Sequence, residues 1–207
     1  MLKNKAFRTN TEKYDAWFDK YCIAYDSELK AMKALGISGK TVEIGIGTGK
    51  FAKPLGINLG IEPTKEMYIK AIELGIDVIE GTAESLPLRS YVFDWVVMVT
   101  TICFVTDPAQ SLKEISRILK KGGRCAIGLV DKDTELGRMY IAKKDKSEFY
   151  QEATFYSATE IINLLKNEGF QEIISWQTLT DTTLTTHEEP IEGYGQGGFV
   201  VISGKKP

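Results

Sequence analysis

Three glycines at alternate positions, Gly45, Gly47 and Gly49, follow directly on the apolar run Thr41-Val42-Glu43-Ile44. Such a run reads as a β-strand ending in a ligand-binding turn. Glycine takes positive φ values and places no side chain between the main chain and a bound molecule. A chain with this feature must present the end of a strand as bare, concave backbone.

Spacing and charge select the ligand. In the dinucleotide fingerprint GxGxxG the third glycine lets the helix pack on its strand while the pyrophosphate sits at the helix N-terminus. Lys50 stands at that third position here. Glu43 adds a carboxylate that would repel a pyrophosphate but attract an ammonium or sulfonium. A cationic nucleoside therefore suits the turn better than a dinucleotide. The pattern ExGxGxG resembles motif I of the class I S-adenosylmethionine-dependent methyltransferases. The resemblance implies S-adenosylmethionine as cofactor, held around Glu43, Gly45, Ile46, Gly47, Thr48 and Gly49.

The rest of the chain narrows the class. At 207 residues it is long enough for one well-buried core, and a single domain is expected over 1–207. The net charge is −2 and no basic block is present, so the footprint of a nucleic-acid or anionic-membrane partner is missing. Residues Met1-Leu2-Lys3-Asn4-Lys5 lack the apolar core of a signal peptide and no run is long enough to span a bilayer, so a cytoplasmic location is expected. Three widely spaced cysteines and one histidine give neither a disulfide framework nor a metal-ligand pattern, and no metal is expected.

Taken in order, residues 10–33 carry Tyr14, Trp17, Phe18, Tyr21, Tyr25 and Leu29 at near-helical spacing, as one or two helices with an aromatic face. Packing on a sheet is one reading of that face. The segment Tyr14-Asp15-Ala16-Trp17-Phe18 also resembles the N-terminal helical cap of small-molecule methyltransferases, so residues 1–39 are assigned as a cap. A brief helical segment is expected at 50–55, curtailed by Pro54. A second strand at 58–62 ends in Glu62, placed to accept both ribose hydroxyls of a nucleoside lying across the turn. Pro63 follows it, and Thr64 is expected to cap a helix containing Met67, which falls where the family sets an apolar side chain against adenine.

A third strand at 76–80 leads to Gly81-Thr82-Ala83-Glu84, similar to a family segment that addresses the adenine amine. Thr82 replaces an Asp there, which leaves the backbone near Ala83, with Glu84, as the expected contact. The continuous apolar run 93–99 reads as a central parallel strand. It ends at Thr100 and Thr101, beside which the family places the transferred methyl group. Phe104 follows shortly. Asp107-Pro108-Ala109-Gln110 starts a helix expected to stop at residues 120–123. A fifth strand at 124–130 precedes a polar insertion at 131–156 with Met139, Tyr140, Phe149 and Tyr150, where this fold often builds its substrate pocket, then a capping box at Ser157 and a closing helix and strands through 207.

The expected fold is a three-layer α/β/α Rossmann-like sandwich with a seven-stranded, mostly parallel sheet. By resemblance its order is 3-2-1-4-5-7-6, with an antiparallel last strand. Residues 40–130 form the cofactor-binding core. The expected function is methyl transfer from S-adenosylmethionine to a small molecule, with Tyr14, Trp17, Phe18, Thr101 and Phe104 as candidate acceptor contacts. No catalytic residue is assigned beyond His187, the one side chain with a suitable unperturbed pKa for a general base. A non-catalytic nucleoside-binding protein and a nicotinamide oxidoreductase are the alternatives. Thr100 and Thr101 stand where a metal-assisted catechol-type transferase would need carboxylates.

Overall fold

The apolar run at the centre of the chain becomes β4, Phe93–Val99, and its alternation sets the layers. In the computed structural model, which describes residues 5–207, Val96 and Met98 enter one core and Trp95, Val97 and Val99 enter another. A strand buried on both faces needs covering layers on both sides. On the first face lie α5, Pro108–Ile118, and α7, Ala158–Asn167, contributing Leu112, Ile115, Ile161 and Leu165. On the second lies α3, Cys22–Ala34, with Leu29, Ala31 and Met32, next to Phe18 and Phe51.

β4 pairs in parallel with β1, Thr41–Ile44, and with β5, Leu119–Val130. β1 continues to β2, Leu59–Ile61, and β3, Asp77–Ile79, also in parallel. On the other side β8, Phe199–Lys205, enters antiparallel between β5 and β6, Gln171–Thr178. The order is β3-β2-β1-β4-β5-β8-β6-β7, the expected seven-strand order with one strand added. The addition, β7, is Ile191–Glu192, a two-residue edge strand too short to leave a periodic signal.

Three local expectations are corrected. Helix α5 ends at Ile118, because Leu119 is fully buried and pairs with Phe93, which draws residues 119–123 into β5. Residues 50–56 form turns rather than a helix, with single bonds such as Lys53 N–H to the Gly49 carbonyl at 3.0 Å. The polar insertion carries α6, Glu135–Ala142, whose N-cap Thr134 accepts from the Gly137 amide at 3.2 Å, and a 3-10 turn, Lys144–Lys146. Thr64 precedes α4, Lys65–Glu73, without a side-chain cap bond. The N-terminal segment forms α1, Lys5–Thr9, and α2, Thr11–Lys20, ahead of α3, while residues 1–4 of the assigned cap lie outside the described residues. No helix among the described residues is long and apolar enough to cross a membrane.

The glycine turn is seated on β2 by one side chain. Ile46 is buried and lies over Gly60, where an added Cβ would stand 2.6 Å from Ile46 Cγ2. Gly60→Ala should therefore cost about 1–3 kcal/mol through overpacking. In urea titration the midpoint should fall with an unchanged slope; an unaltered midpoint would show that Ile46 relaxes freely.

Candidate active site

At the carboxyl ends of β1 and β4 the chain leaves the sheet in opposite directions, the position where open α/β sheets bind ligands. The backbone after β1 folds back on β2: the amides of Gly45 and Ile46 both donate to the Ile61 carbonyl, at 2.7 and 3.1 Å. The three glycines then have different reasons. Gly45, at φ +71, lies against Thr101, whose Cβ would be 2.9 Å from an added methyl group. Gly47, at φ +55, faces the cavity and has only Met67 Cε and Tyr14 near it, at 3.3 Å and beyond. Gly49 packs on Ile76.

Glu62 locks this turn. Its Oε2 accepts from the Gly47 amide and its Oε1 from the Thr64 amide, both at 3.0 Å. Burial raises the carboxyl above its ordinary value, and these two bonds oppose the rise. Glu43 is buried beside it, pushed well above the carboxylate range by desolvation and then by the Glu62 charge, and its Oε2 has no hydrogen-bond partner among the described residues.

The turn opens into a cavity of about 140 Å³ that continues past Gly45, Pro63, Thr101 and Phe104 into a second chamber. The larger chamber brings together Gly45, Gly47, Glu62, Pro63, Met67, Thr100 and all five candidate acceptor contacts, Tyr14, Trp17, Phe18, Thr101 and Phe104. Ala83 and Glu84 line the smaller chamber. The Glu84 carboxylate, however, accepts from the Thr106 and Asp107 amides at 2.7 and 3.4 Å, so it holds the loop before α5. Glu43, Ile46, Thr48 and Gly49 do not line either chamber: Glu43 is buried, Ile46 is core, and the Thr48 hydroxyl donates to Asp15 Oδ1 at 2.7 Å.

Two features concentrate at the acceptor end. Thr100 adopts φ +47, an uncommon conformation for a β-branched residue, with its amide fixed to the Gly128 carbonyl at 2.8 Å. Aromatic rings enclose the space. Phe7 stands edge-on to Phe104 at 5.0 Å, Tyr14 to Phe18 at 5.2 Å, and Tyr150 stacks on Phe104 at 5.9 Å. The aromatic helix thus divides: α3 is core through Ala24, Leu29, Ala31 and Met32, whereas Tyr14 and Trp17 of α2 line the cavity. Asp15 ties α2 to the site, its second oxygen meeting Lys70 Nζ at 2.9 Å, and Glu12 adds another contact to Lys70 at 2.8 Å.

His187 is taken out of the site. It does not line the cavity, its side chain is largely exposed, and its Nδ1 lies 3.1 Å from Asp26 Oδ2 on the outer side of α3. Besides Glu62, the chamber is lined by a second acid, Glu28, 5% exposed, with no hydrogen-bond or salt-bridge partner among the described residues. Burial pushes its carboxyl up to about 8. Sequence reasoning passed over Glu28, although its place on the face of Ala24, Ala31 and Leu35 marks an acid on an apolar stripe. Tyr140, Phe149 and Tyr150 of the insertion line the chamber as well.

The chain as a whole is similar to known proteins. A family profile described as a methyltransferase domain matches residues 42–127. An S-adenosylmethionine-dependent methyltransferase of Thermotoga maritima, described as a possible histamine N-methyltransferase, is 47% identical, with 98% of each chain covered and a TM-score of 0.95. An uncharacterised protein of Methanocaldococcus jannaschii is 43% identical over 97% of this chain and 98% of its own. A demethylmenaquinone methyltransferase of Staphylococcus saprophyticus is 25% identical over 75% and 70%. With its site geometry and this likeness along nearly the full length of both chains, the protein belongs to the class I S-adenosylmethionine-dependent methyltransferases, enzymes whose cofactor is S-adenosylmethionine.

Proposed function

We propose that the protein transfers the methyl group of S-adenosylmethionine to a small-molecule acceptor bound beneath α1 and α2. The observation that carries this reading is that the glycine turn and the aromatic chamber are walls of one cavity. The cofactor, when bound, supplies a methyl group activated by a sulfonium leaving group.

The residues present fit that cofactor. Glu62 spends one lone pair of each oxygen on the Gly47 and Thr64 amides, which leaves acceptor capacity for the two ribose hydroxyls. Gly47 presents open backbone, and the unpartnered Oε2 of Glu43 is a buried acceptor without a donor. The smaller chamber, with Ala83 and the backbone of residues 81–84, suits the base, and Met67 supplies an apolar wall. Thr101, which lines both chambers, and Thr100 beside it in the larger one stand where the acceptor and the methyl group would meet. Alignment in such a pocket contributes several kcal/mol to the reaction, so the chain needs few reactive side chains. Phe7, Tyr14, Trp17 and Phe104 exclude water from the transfer.

S-Adenosylhomocysteine should bind, and Glu62→Ala should weaken it by about 1.5–3 kcal/mol through loss of the charged acceptor. Calorimetry on the folded variant checks this, and an unchanged affinity would remove Glu62 from the site. Gly47→Ala should lower the same affinity at least about tenfold while costing the fold only about 1–2 kcal/mol, the strain of a side chain at positive φ. Normal binding by that variant would mean the turn does not touch the ligand.

The latch from Asp15 to Thr48 and Lys70 makes α2 a cover that closes on the turn. Hydrogen exchange should slow at least about tenfold over residues 10–21 when S-adenosylhomocysteine saturates the protein, while α3 stays protected throughout. Full protection of α2 in the free protein would leave it an ordinary packing helix.

A further inference from the structure

The chamber walls carry nine aromatic rings and no lysine, arginine or histidine. Their two acids differ in kind. Glu62 is committed to backbone amides, whereas Glu28 accepts no hydrogen bond from any described residue and sits 95% buried at the aromatic end. An isolated buried carboxylate is costly unless it is protonated or meets a cation. No cation among the described residues is paired with it, so its counterpart would arrive with the ligand.

Building on the methyl-transfer reading, we propose that the acceptor is a small amine whose nitrogen docks on Glu28 within the aromatic chamber, and that Glu28 takes the proton the ammonium must lose before it is methylated. The aromatic faces favour the same guest, since a cation over a desolvated ring gains about 2 kcal/mol. A carboxylate or phosphate ester in this position would meet acids with no compensating base.

The neighbouring groups leave the proton to Glu28. Tyr14 of α2, Tyr25 of α3, Tyr140 of α6 and Tyr150 beyond it have hydroxyls pushed upward first by burial and further by acids that include Glu28. They therefore stay protonated and act as hydrogen-bond donors. Glu43 and Glu62 lie on the sheet side and add negative potential at Tyr14. At pH 8 a carboxyl raised to about 8 is ionised in about half of the molecules, and in that form it holds an incoming proton more firmly than an exposed carboxylate. The freed nitrogen lone pair forms the N–C bond as the methyl–sulfur bond breaks, with that bonding pair staying on sulfur. The N-methylated ammonium leaves, and the proton on Glu28 passes to solvent.

The test titrates protein saturated with S-adenosylhomocysteine, at pH 8, with three ligands of one shape: 2-phenylethylamine, 2-phenylethanol and 3-phenylpropionate. Calorimetry should show the amine binding at least tenfold more tightly than either of the others. Glu28→Gln should erase that preference while leaving the alcohol within threefold, and Glu28→Asp should restore part of it. The Gln variant should melt at or above the wild-type temperature at pH 8, since it removes a buried charge. Its S-adenosylhomocysteine affinity should be unchanged, so that the loss is confined to the acceptor. Equal or tighter binding of the alcohol or the carboxylate, or an amine affinity untouched by Glu28→Gln, overturns the proposal while the cofactor reading stands. Failure of S-adenosylhomocysteine to bind wild-type protein overturns the cofactor reading, and this proposal with it.

Discussion

One carboxylate holds the two halves of the ligand cleft in register. Glu62, at the end of β2, accepts the Gly47 amide from the turn after β1 and the Thr64 amide at the entry to α4. Both bonds are charge-assisted and buried, which makes them stronger than neutral ones. Without that bridge the turn would lean on Ile46 and the two bonds to the Ile61 carbonyl alone. The position of Gly47, the opening toward the acceptor chamber and the seat of α2 over the turn all follow from this one side chain.

The acids of the site are held against their own stability. Glu28, Glu43 and Glu62 are all raised above their ordinary values, and burial is the first cause for each. A carboxyl whose folded value exceeds its unfolded value near 4.5 binds more protons folded than unfolded in the interval between them. Stability is then full below the unfolded value and declines as pH rises toward the folded one. The protein tolerates this cost at a site where a cationic ligand would relieve it, in keeping with the clustering of perturbed groups at functional sites.

The cover over the cleft is built from two kinds of contact. Rings from α1, α2, the segment after β4 and the insertion meet edge-on or stacked, which gives apolar enclosure without a single rigid packing. Ion pairs from Glu12 and Asp15 to Lys70 supply direction at the rim, where solvent screens them.

The sequence by itself determined the sheet and the cofactor end. The run 93–99 has to be buried on both faces, and alternate glycines after a β-type run leave few options but a strand-end turn, so the parallel core, the turn and the acid Glu62 beside it were legible locally. The same local rules misplaced the end of α5, because Leu119 is claimed by a pairing with Phe93 that no helical pattern reveals. They favoured His187 for its chemistry, yet its position on the outer side of α3 is a tertiary fact. Glu28 shows the division most clearly. An acid on an apolar helix face can be a mistake in the pattern, a salt-bridge partner or a ligand group. Only the folded chain, by surrounding it with Tyr140 and Tyr150 from more than a hundred residues away and offering it no cation, makes it the acid of the chamber.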